Sequence, residues 1–132
     1  MQIISTPNAP TPAGHYSQAI VHQGIVYVAG QLPVDPKNPE ALPDNPEDQT
    51  RNVLENVRAI LEAANSSLSN TLQMTIYVTD IGHWPAVNVA YAEVMGTHRP
   101  ARAVVPVGTL KPGCILEVQA IAAQEVPEDT GI

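Results

Sequence analysis

The apolar residues in the middle of the chain change their spacing from that of a helix to that of a strand. Between positions 53 and 64 they recur at the i, i+3, i+4 and i+7 spacing of one helix face. From position 72 onward the period becomes two, with Leu72, Met74, Ile76 and Val78 alternating with Gln73, Thr75 and Tyr77. An amphipathic helix followed closely by a half-buried strand predicts an α+β domain.

The remaining segments extend this pattern on both sides. Asn45 followed by Pro46 and two carboxylates is typical of a helix start, and Asn65 is a plausible end. A second helix is predicted over about His83–Met95, with an apolar stripe bordered by Asn88. An N-terminal strand and loop are predicted over 1–13, followed by a hairpin of Tyr16–His22 and Ile25–Ala29. Two closing strands are predicted over Ala101–Val107 and Ile115–Ala123, and a turn at Lys111-Pro112-Gly113 joins them. The order is three strands, helix, strand, helix, two strands, with both helices on one face of the sheet.

The other face of this sheet is polar but carries few full charges. It would carry Gln73, Thr75, Tyr77, Glu117, Gln119 and Ile121. Such a face is too apolar for open water and too polar for a dry core, so we expect it to form a subunit interface in an oligomer.

Prolines mark two loops, one near the N-terminus and one between Gln31 and Asp48. The second loop is long for a compact domain. Loops of this length are often functional or packed over a neighbouring surface.

Composition limits the classes of function. The 132 residues allow one domain, 1–132, with a short tail over 124–132. Thirteen acidic residues against six basic ones give a net charge of −7, and no basic cluster exists beyond Arg99 and Arg102, which argues against nucleic acid as a partner. No apolar run is long enough to span a bilayer, no signal peptide is evident, and the single Cys114 fits a reducing compartment, so we expect a cytoplasmic protein without membrane contact.

Few residues offer chemistry of their own. The four histidines show no metal-ligand spacing, and neither a GxGxxG nor a P-loop motif is present, so no metal site and no cofactor are predicted. Cys114 and Ser17 lack an identifiable base, which favours a turn cysteine and a strand serine over nucleophiles.

Arg102 and Glu117 stand out because their two predicted strands carry no other charge. One interpretation is a structural salt bridge between them, since a buried charge is costly unless it is paired. The other is a functional pair, in which Arg102 binds a ligand carboxylate and Glu117 holds a water molecule. Composition alone leaves these two interpretations equal.

Six short segments, in this order, resemble the RidA (YjgF) family of enamine and imine deaminases. They are GHYSQAI (14–20), VAGQLP (28–33), NVLENV (52–57), VNVAY (87–91), RPAR (99–102) and EVQAIA (117–122). The resemblance implies a chorismate-mutase-like α+β fold with two helices on a mixed sheet. It also implies a homotrimer around a central β-barrel, with three active sites in the clefts between subunits.

The resemblance also implies site residues and an activity. Arg102 would clamp the substrate carboxylate and Glu117 would hold the attacking water, while Tyr16, Gly30, Asn88 and Val104 would contact the substrate. The activity would be that of a 2-iminobutanoate/2-iminopropanoate deaminase, a hydrolase that converts 2-enamino or 2-imino acids such as 2-aminoacrylate to 2-keto acids and ammonia. Holding the carboxylate and one water is sufficient for this reaction, so it needs neither metal nor cofactor.

Three positions depart from the family pattern. Ala29 replaces a common serine, Val104 replaces a frequent cysteine, and His15 replaces a proline before the tyrosine. The departure at Ala29 leaves a non-catalytic trimer that binds small carboxylates such as 2-keto acids as the alternative. A specialised deaminase of the 2-aminomuconate type and a ribonuclease or translation inhibitor are further alternatives, and the acidic charge disfavours the last.

Overall fold

The computed structural model describes residues 1–126, which form a six-stranded sheet with two helices. The predicted order of strands and helices is confirmed. The elements are β1 (Gln2–Ile4), β2 (Ala19–His22), β3 (Ile25–Gln31), α1 (Pro46–Ala63), β4 (Thr71–Val78), α2 (Trp84–Met95), β5 (Ala101–Pro106) and β6 (Leu116–Ala123). Short 3-10 helices occupy Leu68–Asn70 and Ile81–His83.

The sheet is mixed, with the strand order β1-β2-β3-β6-β4-β5. Among the strands of residues 1–126, only β4 and β5 pair in parallel, because α2 carries the chain back over the sheet between them. The segment that contains the predicted Lys111-Pro112-Gly113 turn leads from β5 to β6, but these two strands do not pair. Instead, β6 inserts between β3 and β4 and places the last strand at the centre of the sheet.

Both helices pack on one face of the sheet and enclose the core, as expected. Side chains of α1 such as Leu54 and Ile60 are fully buried against Met74, Ile76 and Leu116 of the central strands. The predicted start of α1 is confirmed: the Asn45 side chain accepts a hydrogen bond from the backbone N–H of Asp48 at 2.8 Å.

The start of β2 differs from its prediction, Tyr16–His22, because it begins at Ala19. The side chain of Gln18 is buried and holds the N-terminal loop: it accepts from the N–H of Thr6 and donates to the carbonyls of Thr6 and Pro10. The chain before Gln18 therefore belongs to a loop, and Tyr16 is outside the sheet.

The predicted inward direction of Leu72 is wrong, since this side chain is 48% exposed. A register shift between Thr71 and Gln73 against β6 adds a residue at this point, and Thr71 is buried in its place. Such a bulge changes the in-and-out alternation of side chains only before Gln73, so Met74, Ile76 and Val78 still point into the core.

The face opposite the helices has no covering element among residues 1–126. It presents the predicted set, with Tyr77 donating a hydrogen bond from its hydroxyl to Gln119 at 2.9 Å. Tyr27, which is 48% exposed, extends this open face along β3. The open face is confirmed, and the oligomer that it implies stays a prediction.

The C-terminal tail leaves β6 along α1. Glu125 donates its N–H to the carbonyl of Asn65, and Gln124 donates to that of Ala64. The predicted tail over 124–132 continues beyond the described residues from 127 onward, and the single-domain division of 1–132 stays a prediction. Within residues 1–126, no helix combines the length and apolarity needed to cross a membrane.

Candidate active site

Arg102 lies on β5 and points to the side of the sheet that carries the helices. It pairs in register with Met74, whose side chain is buried beneath the helices, and paired residues share a face. Its Nη1 donates to Oδ1 of Asn88 at 3.0 Å. Its guanidinium carbon lies 4.7 Å from the ring centre of Trp84 and 5.0 Å from that of Tyr91, within the range of cation–π contacts.

The three partners of Arg102 come from one face of α2. Trp84, Asn88 and Tyr91 are separated by four and three residues, which brings their side chains together on a helix. Neither Trp84 nor Tyr91 is among the predicted site residues, and their contact with Arg102 was missed. Their spacing around Asn88 was the signal that could have identified them.

Val104 lies two residues after Arg102 and therefore on the same face of β5. It is half-buried and packs against the core. Arg102, Asn88 and Val104, three of the six predicted site residues, are thus brought together by β5 and α2.

A cavity of about 470 Å³ opens beside this group. Arg102, Asn88 and Tyr91 line it together with Arg99 and His98 from the loop that precedes β5. We call it the arginine cavity. Burial raises the pKa of the Tyr91 phenol, and the charge of Arg102 opposes this rise.

Glu117 lies on β6 and points to the open face. It alternates with the buried residues Leu116 and Val118, and it pairs in register with Tyr77 of the open face. Burial raises the pKa of its carboxyl group above the ordinary value. A partly buried carboxyl with a raised pKa in a cleft is a candidate for proton transfer.

Glu117 contributes to a second cavity of about 440 Å³, which we call the glutamate cavity. Tyr16 and Gly30, two further predicted site residues, line it with Glu117. Its remaining wall is mostly apolar and comes from the two proline-rich loops, with Lys111 at its edge. The predicted site residues therefore form two groups. Arg102 and Asn88 line the arginine cavity, with Val104 next to them on β5, and Tyr16, Gly30 and Glu117 line the glutamate cavity.

Gly30 allows the Glu117 carboxyl to approach the backbone of β3. A Cβ atom at position 30 would lie 2.7 Å from Oε2 and 2.9 Å from Cδ of Glu117, closer than real Cβ atoms come to other atoms. Gly30 lies in a register shift, where three steps along β3 from Val28 to Gln31 match two along β6. Bulges of this kind are frequent beside active sites, where they redirect the backbone.

Buried amide side chains hold the loops of the glutamate cavity in place. Asn56 of α1 donates to the carbonyls of Leu32 and Val34, and Gln49 donates to those of Pro43 and Gly113. The long proline-rich loop is therefore packed onto α1 and the cavity.

Arg102 and Glu117 are not paired with one another. They lie on opposite faces of the sheet, and the ion pairs among residues 1–126 join Arg51 to Asp48 and Glu93, and Arg58 to Glu55. The structural salt bridge between Arg102 and Glu117 is therefore wrong as an interpretation. Within one copy of this chain, the arginine cavity and the glutamate cavity are therefore separate.

Other candidate chemistry is limited in the part of the chain that the structure describes. No group of three or more His, Cys, Asp or Glu side chains is arranged to hold a metal ion there. Cys114 is buried, and burial raises the pKa of its thiol, which disfavours the reactive thiolate.

The fold and the cavities define a class of protein. Its members have a mixed sheet with two helices on one face, a guanidinium held by uncharged side chains, and a carboxyl group in a separate cavity. A family model described as Endoribonuclease L-PSP matches residues 6–124. The chain belongs to this family, which is the YjgF/RidA family. The resemblance noted in the sequence is thereby confirmed.

Individual relatives match over nearly their whole length. A RutC family protein of Pyrococcus horikoshii is 44% identical over 124 residues, which cover 94% of this chain and 98% of that protein. The crystal structure of a putative endoribonuclease from Thermotoga maritima has 38% identity and a TM-score of 0.90, with 96% of this chain and 99% of that chain covered. The crystal structure of TdcF from E. coli with bound serine has 35% identity and a TM-score of 0.89, with coverages of 95% and 100%.

Proposed function

We propose that this chain hydrolyses reactive 2-enamino and 2-imino acids, such as 2-aminoacrylate, to 2-keto acids and ammonia. One observation carries the proposal: Arg102 has no carboxylate partner among residues 1–126 and is held by uncharged groups, Asn88 and two aromatic rings. A guanidinium held in this way keeps donors free for a planar carboxylate.

The substrate carboxylate binds Arg102 in this mechanism. Asn88 occupies Nη1, and Trp84 and Tyr91 restrict the rotation of the guanidinium plane. A fixed plane reduces the entropy lost when the substrate binds, because its carboxylate meets a single orientation.

Glu117 accepts and donates the protons of the reaction. The enamine tautomerises to the imine as a proton moves from its nitrogen to C3, and water then adds to C2. As a carboxylate, Glu117 accepts a proton from that water, and as the neutral acid it passes the proton to the nitrogen, which gives a carbinolamine. A second transfer through Glu117, from the hydroxyl group to the nitrogen, releases ammonia as the C–N bond breaks and the C=O bond forms. Its raised pKa supports this role, because both forms are then closer in energy near neutral pH. The backbone N–H of Gly30 and the carbonyl of Val104 are additional polar groups for substrate and water.

The complete site requires two copies of the chain. Arg102 and Glu117 point to opposite faces of one sheet, so a single substrate reaches both only where the arginine cavity of one copy meets the glutamate cavity of another. The open face supports such an assembly, and a homotrimer with three clefts between subunits satisfies this requirement.

The activity test follows keto-acid release from 2-aminoacrylate that a PLP-dependent dehydratase generates in the same solution. We expect the protein to accelerate release, and Arg102→Gln and Glu117→Gln each to reduce the acceleration about 100-fold. Arg58→Gln is the matched control, because it removes an exposed arginine on α1. An unchanged rate of release in the presence of the wild-type protein would reject the proposal.

A mixing experiment tests the shared site separately. Arg102→Gln and Glu117→Gln subunits are unfolded together and refolded as mixed oligomers. Because each site takes Arg102 from one copy and Glu117 from its neighbour, about a quarter of the sites in a 1:1 mixture regain both residues. Mixtures as inactive as their components would show that the residues act in separate sites.

The relatives favour one alternative. Since TdcF is described with bound serine, a non-catalytic protein that binds small carboxylates is a second candidate for this chain. Calorimetry that shows tight binding of 2-oxobutyrate, without acceleration of keto-acid release, would support it. The titles of two related crystal structures describe putative endoribonucleases, and the net charge of −7 weighs against that activity here.

A further inference from the structure

The arginine cavity is basic although the chain is acidic. Arg99 and Arg102, two of only six Lys and Arg residues, line it together, and no Asp or Glu from residues 1–126 does so. Arg99 is exposed and forms no ion pair within that part of the chain. The proposed clamp of one carboxylate uses Arg102 alone and leaves Arg99 without a function.

The free side-chain groups of Arg99, Arg102 and Asn88 in this cavity are hydrogen-bond donors. Asn88 uses its carbonyl oxygen to accept from Arg102, which leaves its amide N–H groups free. His98 donates from Nε2 to the carbonyl of Thr71 at 2.7 Å, so that this ring is held in place at the cavity wall. An excess of donors around two guanidinium groups selects a ligand with several acceptor oxygens and more than one negative charge.

Tyr91 adds a second observation at the same cavity. Its side chain is 95% buried, and its hydroxyl is the one buried side-chain group among residues 1–126 that has no hydrogen-bond partner. Buried polar groups without partners are rare in folded proteins and indicate a missing ligand or water. Tyr91 lines the arginine cavity beside Arg102, but its hydroxyl is covered, so a ligand carboxylate supplies it with an acceptor only when the side chains around it shift.

We propose that the arginine cavity binds the second carboxylate of a dicarboxylic substrate. This inference rests on the proposed function: Arg102 holds the carboxylate beside the reacting carbon, and Arg99 pairs with a carboxylate at the far end of the substrate. The substrate class is then 2-imino acids with an acidic side chain, which are hydrolysed to dicarboxylic 2-keto acids. The volume of about 470 Å³ is ample for a chain of a few carbons between the two carboxylates.

The test compares two keto acids by calorimetry. The dicarboxylate is 2-oxoglutarate, and the monocarboxylate is 2-oxohexanoate, which has an apolar end in place of the second carboxylate. We expect the wild-type protein to bind 2-oxoglutarate about tenfold more tightly, as one charge-assisted pair with Arg99 predicts. Arg99→Gln should reduce this ratio to about one, and Tyr91→Phe should lower it by a smaller factor.

Two control variants make the result specific. Arg58→Gln changes the net charge equally but lies on α1, so the ratio should stay at its wild-type value. Lys111→Gln removes the cation at the edge of the glutamate cavity. A ratio that falls with Lys111→Gln and not with Arg99→Gln would overturn the inference, because the second carboxylate would then bind elsewhere.

The outcomes also separate this inference from the proposed function. If 2-aminoacrylate is deaminated but the wild-type protein does not prefer 2-oxoglutarate, the inference fails and the proposed function stands. If neither keto acid binds and no deamination occurs, both fail.

Discussion

At the scale of single residues, the candidate site depends on a small number of contacts between individual side chains. Arg102 is held by three uncharged side chains of α2, and Glu117 fits against β3 because Gly30 has no Cβ. These two arrangements supply opposite chemistry, a permanent cation and a carboxyl group with a raised pKa.

Gly30→Ala tests the close approach of Glu117. The new Cβ would overlap Oε2 and Cδ of Glu117, so we expect the carboxyl to move and keto-acid release to fall about tenfold or more. Gly108→Ala is the control. The new Cβ would meet no atom within 4 Å, and the φ angle of Gly108 lies outside the positive range that side chains disfavour. Equal rates for Gly30→Ala and the wild type would show that the position of Glu117 does not matter.

The raised pKa of Glu117 predicts a dependence of stability on pH. Above the ordinary value of 4.5 the unfolded chain ionises first, so the folded state loses stability as pH rises through the raised pKa. Glu117→Gln removes this loss. We therefore expect the variant to unfold at a higher temperature than the wild type at pH 7, and at nearly the same temperature below pH 4.5.

The same comparison with Glu62→Gln provides the control for this prediction. Glu62 is exposed on α1 and far from both cavities, so its substitution should leave the melting temperature nearly unchanged at either pH. A Glu117→Gln variant that is less stable than the wild type at pH 7 would contradict a raised pKa.

At the scale of elements, local signals in the sequence agree with the structure wherever the backbone itself sets the geometry. The hairpin turn at Gln23 and Gly24 has φ of 51° and 78°, the pair of positive values that a two-residue type I′ turn needs. Asn65, with a φ of 58°, follows α1 in the left-handed region, as is common at helix ends.

Asn45→Ala tests the start of α1. The Asn45 side chain accepts from the N–H of Asp48, and its loss leaves that donor unsatisfied within the helix, so the free energy of unfolding should fall by about 1 kcal/mol. Urea denaturation monitored by circular dichroism measures the change. Asn38→Ala, in the exposed part of the proline-rich loop, should change stability by less than about 0.5 kcal/mol. Equal losses for both variants would contradict a capping role.

At the scale of the whole molecule, the sheet separates the two cavities, and its open face is available for another copy. Ala103 and Thr75 pair in register on neighbouring strands of that face. A charge there would have to be buried if a second copy covers the face, and buried unpaired charges are costly.

Ala103→Glu tests this assembly. We expect the variant to elute as a monomer in size-exclusion chromatography and to lose the proposed deaminase activity, while its circular dichroism spectrum stays that of the wild type. Ala63→Glu places the same charge on an exposed position of α1, so its oligomeric state should be unchanged. A monomeric wild-type protein with full activity would contradict both the interface and the shared site.

Sequence reasoning predicted the order of the elements, the helix start at Asn45 and the family, because period, capping and short motifs depend on residues close together in the chain. The roles of the site residues stay predictions. The same reasoning misplaced Leu72 and the start of β2, because a bulge and the contacts of the Gln18 side chain depend on residues distant in the chain. Sequence reasoning also did not predict that Arg102 and Glu117 lie on opposite faces of the sheet. The face on which a side chain lies follows from the register of strands that pair across the fold, and only the folded sheet sets that register.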